Sequence, residues 1–167
     1  RRLAILDLSP AGHQPMQSAS GRYVISYNGE VYNCRELRIE LEARGHQFRS
    51  RTDTEVVLAA WECWGEAALN RLNGMFAFAV WDAREHELVL ARDRYGIKPL
   101  YYTVSQGRVL FGSEVKAILA VPGCVAEIDK EALLEYFTFQ NYFTDRTLFS
   151  GVRLLPPGCM ARVRAGA

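Results

Sequence analysis

Metal chemistry has little to work with in this sequence. Its four cysteines, Cys34, Cys63, Cys124 and Cys159, stand far apart and form no Cys-x-x-Cys pair. The three histidines, His13, His46 and His86, are equally scattered. A metal centre would need distant side chains to converge, so reduced thiols without a metal are the plain reading. An excess of one charge is also missing: 20 Lys and Arg against 19 Asp and Glu leave a formal net charge of +1. That balance supplies no electrostatic footprint for nucleic acid or for an anionic membrane. No apolar run reaches the roughly 20 residues of a membrane helix, and no signal-peptide pattern opens the chain, so a cytoplasmic location is expected. Repeats, low-complexity tracts and flexible linkers are absent too, and residues 1–167 are read as one domain.

What is present is enough to build a core. With 49% hydrophobic and 23% charged residues over 167 positions, the chain is of ordinary globular type. It starts at Arg1 on an apolar strand-like run, "RRLAILDL", and ends in "ARVRAGA". Both ends read as cuts in a longer polypeptide, which sets the expectation of a fragment.

Residues 1–8 read as a buried strand, followed by a Pro/Gly loop. In "ISYNGEVYN" an Asn-Gly pair stands between two strand-like runs, the strongest short-range hairpin signal. Residues 22–27 and 30–32 are therefore expected to pair around Asn28 and Gly29. From Asn33 the period changes: Leu37, Leu41 and Ala43 suit an amphipathic helix ending at Gly45. Thr52 and Glu55 have capping-box spacing at the head of a second helix, which Gly65 stops. A short helix over 66–72 leads into "GMFAFAVWD", a buried strand by length and aromatic content, answered by "HELVLARD". A further hairpin is expected from "PLYYTV" and "RVLFGS" around residues 105–107. Ser113 is the candidate cap of helix "EVKAILA", and Asp129 that of "KEALLEYFTFQ". A last strand follows "LPPG". Antiparallel hairpins with segregated helices, and no regular βαβ alternation, indicate an α+β fold.

Seven motifs occur in order: "RLAILDL", "GHQPM", "YNGEVYN", "TDTEV", "LNGMFAFAVWD", "ARDRYGIKPLYY" and "GSEVKAIL". Together they resemble the glutaminase domain of glutamine-hydrolysing asparagine synthetases, class II amidotransferases of the N-terminal-nucleophile type. The resemblance runs over essentially the whole chain. It implies a four-layer sandwich of antiparallel sheets flanked by helices, here lacking its N-terminal strands. It also implies site residues. Arg2 would hold the α-carboxylate of glutamine, as a planar guanidinium does in bidentate fashion, and Asp53 the α-ammonium. The backbone near Ile5 would add an acceptor. Gly29, through its N–H, and Asn28, through its amide, would form the oxyanion hole, with Glu30 beside the bound glutamine. Judged alone, Arg2 is an arginine at a strand start, Asp53 an acid favoured in a first helical turn, and Asn28–Gly29 a turn.

The nucleophile implied by the resemblance is a cysteine at the mature N-terminus, with its own α-amine as base. No cysteine of this sequence fills that role, so the chain is expected to be inactive alone. Cys34 starts a helix, a place that can lower a thiol pKa, but it has no family match. Arg92, Asp93, Arg94 and Lys98 read as a structural charge cluster. The domain itself implies no cofactor. ATP and Mg²⁺ belong, by resemblance, to a C-terminal synthetase domain that activates aspartate. The implied partners are L-glutamine and that domain, with a homodimer left open; nucleic acid and membrane are not expected. Two alternatives stand beside asparagine formation. One is a related amidotransferase with another acceptor; the other is a non-catalytic remnant that has lost the nucleophile.

Overall fold

The computed structural model describes residues 12–164. In chain order the elements are β1 (Met16–Gln17), β2 (Tyr23–Val31), α1 (Cys34–Ala43), α2 (Asp53–Trp64), α3 (Ala67–Arg71), β3 (Gly74–Asp82) and β4 (Glu87–Arg92). They continue with β5 (Tyr101–Ser105), β6 (Arg108–Gly112), α4 (Val115–Leu119), α5 (Lys130–Phe139), β7 (Arg153–Leu154) and β8 (Met160–Arg164). The strand expected over 1–8, with Arg2 and Ile5, lies outside the described residues.

Two antiparallel sheets result, one in the order β1-β2-β3-β4-β8 and one in the order β6-β5-β7. The period-2 alternation of β3 explains the layering. Phe76, Phe78 and Val80 point to one side, where they pack with Ile25, Tyr27 and Val31 of β2 against α1 and α2. Trp61 of α2 meets Phe78 edge-on, with ring centroids 5.9 Å apart. Ala77 and Ala79 point to the other side, where Leu90, Leu100 and Leu155 complete a smaller apolar cluster beneath the second sheet. Large rings thus fill the helix side, while small side chains let the second sheet approach closely. Helix α5 is different: only its Ala132 is buried, and Leu134, Phe137 and Phe139 are exposed, with Phe143 just beyond.

The expected hairpin at Asn28–Gly29 does not form. Residues 23–31 are one uninterrupted strand, with Asn28 opposite Ala77 and Gly29 opposite Phe76. The partner strand decides this, because nine consecutive cross-strand pairs outweigh a local turn preference. Gly29 serves close approach instead. A Cβ there would collide with the Met75 carbonyl oxygen and lie 2.8 Å from the Phe76 Cα. The true two-residue hairpin turn is Gln106–Gly107, both at positive φ (51° and 71°), between paired Ser105 and Arg108.

At the head of α2 the Thr52 side chain accepts from the Glu55 N–H (3.2 Å), as expected. The reciprocal half of the box is replaced. The Glu55 carboxylate reaches back to the N–H groups of Arg49 (2.8 Å) and Ser50 (2.7 Å), pinning the entering loop. Asp129 caps α5 by accepting from Glu131 and Ala132. Ser113 does not cap α4: Glu114 occupies that position, without a side-chain cap bond. Arg92 donates to the carbonyls of Lys98 (2.8 Å), Leu155 (2.6 Å) and Gly96 (2.6 Å), tying the loop after β4 to the segment after β7.

Candidate functional site

Strand β2 organises the polar groups of interest along one of its edges. In an antiparallel ladder, alternate residues turn their N–H groups to opposite neighbours. The Tyr32 N–H donates to the Asn73 carbonyl (2.7 Å), which sets the phase: even-numbered residues of β2 face β3. Tyr27, Gly29 and Val31 therefore turn their N–H groups away from β3, beyond the point where β1 has ended. Two of the three are occupied. Tyr27 N–H donates to the Gln14 Oε1 (2.7 Å), and Val31 N–H to the Asp53 Oδ2 (3.1 Å). Between them, the Gly29 N–H meets no acceptor among the described residues.

Asp53 reaches this edge because it opens α2, which packs across β2. It is buried, and the Tyr27 hydroxyl also donates to its Oδ2 (2.7 Å). Burial and the adjoining Asp53 charge hold the Tyr27 phenol protonated, well above its usual range, so it stays a donor. The other carboxylate oxygen, Oδ1, receives no hydrogen bond from the described residues. Gln14 bridges the same elements, since its Nε2 donates to the Thr54 hydroxyl of α2 (3.3 Å).

Asn28 lies on the opposite face of β2, the face turned to the second sheet, as does Glu30 two residues on. Its Nδ2 donates to the Ser113 hydroxyl (3.1 Å), at the end of β6. Asn28 of β2 and Asp53 of α2 thus lie on opposite sides of that strand, and the Gly29 N–H lies at the edge between them. Arg2 and Ile5 lie outside the described residues, so their relation to this edge is not placed. Cys34 is half-buried at the start of α1, and burial, with the Asp53 charge nearby, pushes its thiol above the ordinary value. That is the reverse of an activated nucleophile. Among the described residues no cluster of His, Cys, Asp and Glu could hold a metal ion, and no helix is long and apolar enough to cross a membrane.

Three participants escape a reading of the sequence: Gln14, Tyr27 and Ser113. Each lies inside a motif, but their partners are 40, 26 and 85 residues away. No local spacing signals such pairs.

Among the described residues, the edge offers a backbone donor without an acceptor, a side-chain amide beside it and a buried carboxylate with one oxygen unmet. Those groups match a small zwitterion carrying an electrophilic carbonyl. A family model described as "Glutamine amidotransferase domain" matches residues 1–167. Asparagine synthetase [glutamine-hydrolyzing] 3 of Bacillus subtilis is 46% identical over 160 residues, 94% of this chain and 26% of that protein. Amidase chry2 of Gibberella zeae is 37% identical over 158 residues, 94% of this chain and 23% of that protein. Among solved structures, the glutamine phosphoribosylpyrophosphate amidotransferase of Bacillus subtilis superposes with a TM-score of 0.57 at 26% identity. That match covers 70% of this chain and 28% of the other. Antiparallel sheets with flanking helices are common to both. The chain spans about a quarter of the length of the curated relatives it matches.

Proposed function

The chain belongs to the glutamine amidotransferase domain family, and we propose that its β2 edge hydrolyses the side-chain amide of glutamine for asparagine formation. Asp53 Oδ1 takes the α-ammonium, and Arg2 takes the α-carboxylate. When a thiolate adds to the amide carbon, the C=O π pair moves onto oxygen. The Gly29 N–H and the free N–H of the Asn28 amide donate to that oxygen. Collapse of the adduct expels ammonia, which carries away a proton, and water then releases glutamate from the thioester. Each preorganised donor of this kind is worth about 3–4 kcal/mol of barrier. The nucleophile is a cysteine with a free α-amine, which Cys34 is not: its nitrogen is peptide-bonded at the start of α1.

The observation that carries this reading is the Gly29 N–H, unmet among the described residues between two occupied neighbours on the same strand edge. Gly29 is half-buried, and an N–H at a strand edge that no described residue meets suits a ligand oxygen. The ammonia goes to a synthetase domain of the same polypeptide, where ATP and Mg²⁺ activate aspartate. In support, the relatives are about four times as long, and α5 presents an apolar face of the kind that contacts other proteins. A different acceptor is the second reading, favoured by the similarity to an amidase.

The test is to supply the full-length protein with glutamine, aspartate and ATP-Mg²⁺, following ammonia and asparagine. Glutamine hydrolysis with asparagine formed is the expected result. Hydrolysis without asparagine transfers the reading to another acceptor, and no hydrolysis overturns the site.

A further inference from the structure

Ser113 stands one residue before the N-cap of α4, and its hydroxyl accepts from the Asn28 amide. An asparagine amide has two N–H groups on one nitrogen and can turn about χ2. With one N–H donated to Ser113 Oγ, χ2 is held and the second N–H on the same nitrogen has a defined direction. Ser113 is itself held in place. It follows directly on Gly112, which pairs with Tyr101 in the second sheet. The alanine face of β3 lets that sheet come close enough for the contact. We propose that Ser113 is the positioning residue of the oxyanion hole, aiming the Asn28 amide at the carbonyl oxygen of the substrate. The proposal rests on the glutamine-hydrolysing reading above.

An amide that is aimed before substrate arrives needs no reorganisation when charge develops, so its effect falls on the chemical step. Losing the anchor frees a rotor worth about one hydrogen bond, which corresponds to roughly tenfold in rate. The experiment measures glutamine hydrolysis by the full-length protein carrying Ser113→Ala, Ser113→Cys or Ser113→Thr. Alanine and cysteine both remove the oxygen acceptor, and cysteine keeps the size should alanine fail to fold. The expected result is a kcat lowered about tenfold with KM within twofold, and most of the rate restored by threonine. In an Asn28→Ala background, Ser113→Ala should add little further loss, because the group it aims is gone. A KM increase at unchanged kcat, an unchanged rate or a faster one would overturn the positioning role, the last because Ser113 would then be competing for the amide. If Asn28→Ala itself leaves glutamine turnover intact, the oxyanion reading fails. If Asn28→Ala is slow and the oxygen-deleting variants are normal, only the role of Ser113 fails.

Discussion

Asp93 and Asp53 are both aspartates sealed from solvent, 1% and 6% exposed, yet their carboxylates are used in opposite ways. Asp93 is saturated. Its Oδ1 accepts from the N–H groups of Tyr95 (3.0 Å) and Ile97 (3.1 Å), and its Oδ2 from those of Phe76 (3.2 Å) and Lys98 (3.0 Å). Burial pushes this carboxyl up, but the four backbone donors outweigh it and hold it below the ordinary carboxylate range. Asp53 loads two donors onto Oδ2 and leaves Oδ1 unmet among the described residues. Burial alone therefore does not distinguish the two acids; they differ in how many of their lone pairs the described residues occupy, and the proposed ligand role of Asp53 rests on that difference.

The comparison breaks first at Asp93. Asp93→Asn keeps the size but replaces one acceptor oxygen by an amine facing two backbone donors. The expected cost is about 2–6 kcal/mol of unfolding free energy, at about 1–3 kcal/mol for each of the two stranded donors. Chemical denaturation measures it. A loss below about 1 kcal/mol would mean that the loop after β4 does not depend on this carboxylate.

At Asp53 the same substitution should act on kinetics. The remaining carbonyl oxygen of Asn can still accept from Tyr27 and Val31, so stability should shift by no more than about 1 kcal/mol, the scale of a charge at a helix N-terminus. Loss of the partner for a substrate cation in a closed site costs about 2–5 kcal/mol. Glutamine-dependent kcat/KM of the full-length protein should therefore fall by a factor on the order of 30 or more. Normal glutamine kinetics with a lower melting temperature would make Asp53 a second structural aspartate and erase the contrast.

The smallest effect is a pH dependence. A carboxyl whose folded pKa is depressed contributes stability above its ordinary titration range, and that contribution is lost as pH falls through the folded value. The Asp93 share should accordingly be complete at neutral pH and drain away below about pH 4. Melting curves between pH 7 and 3 should fall more steeply for the native protein than for Asp93→Asn. Parallel curves would contradict the depressed value.

Much of this was legible in the linear sequence where the physics is short-ranged. Helix periods over Leu37 and Leu41, the caps at Thr52 and Asp129, and the buried strand of alternating Phe and Ala depend on neighbours within a few residues. The motif order pointed to the family, and the candidate roles of Asn28, Gly29 and Asp53 came with it. The Asn28–Gly29 turn was misread for a definable reason. A turn preference is local, whereas β3, more than 40 residues on, brings nine cross-strand pairs that hold the chain extended. Gln106–Gly107, which carries no Asn, turns instead, because the strands on either side pair in a register that leaves those two residues between them.

By itself, then, the order of residues determined the helices and most of the strands, that the fold is α+β, and which acids, amides and glycines were candidates for chemistry. Only the tertiary structure decided how those groups are committed. Among the described residues, it placed Ser113 on Asn28, gave Asp93 four donors and Asp53 two, and left the Gly29 N–H without an acceptor at a strand edge. A hydrogen-bonding capacity belongs to a residue type, but whether that capacity is filled depends on partners tens of residues distant, brought together only when the sheets and helices pack.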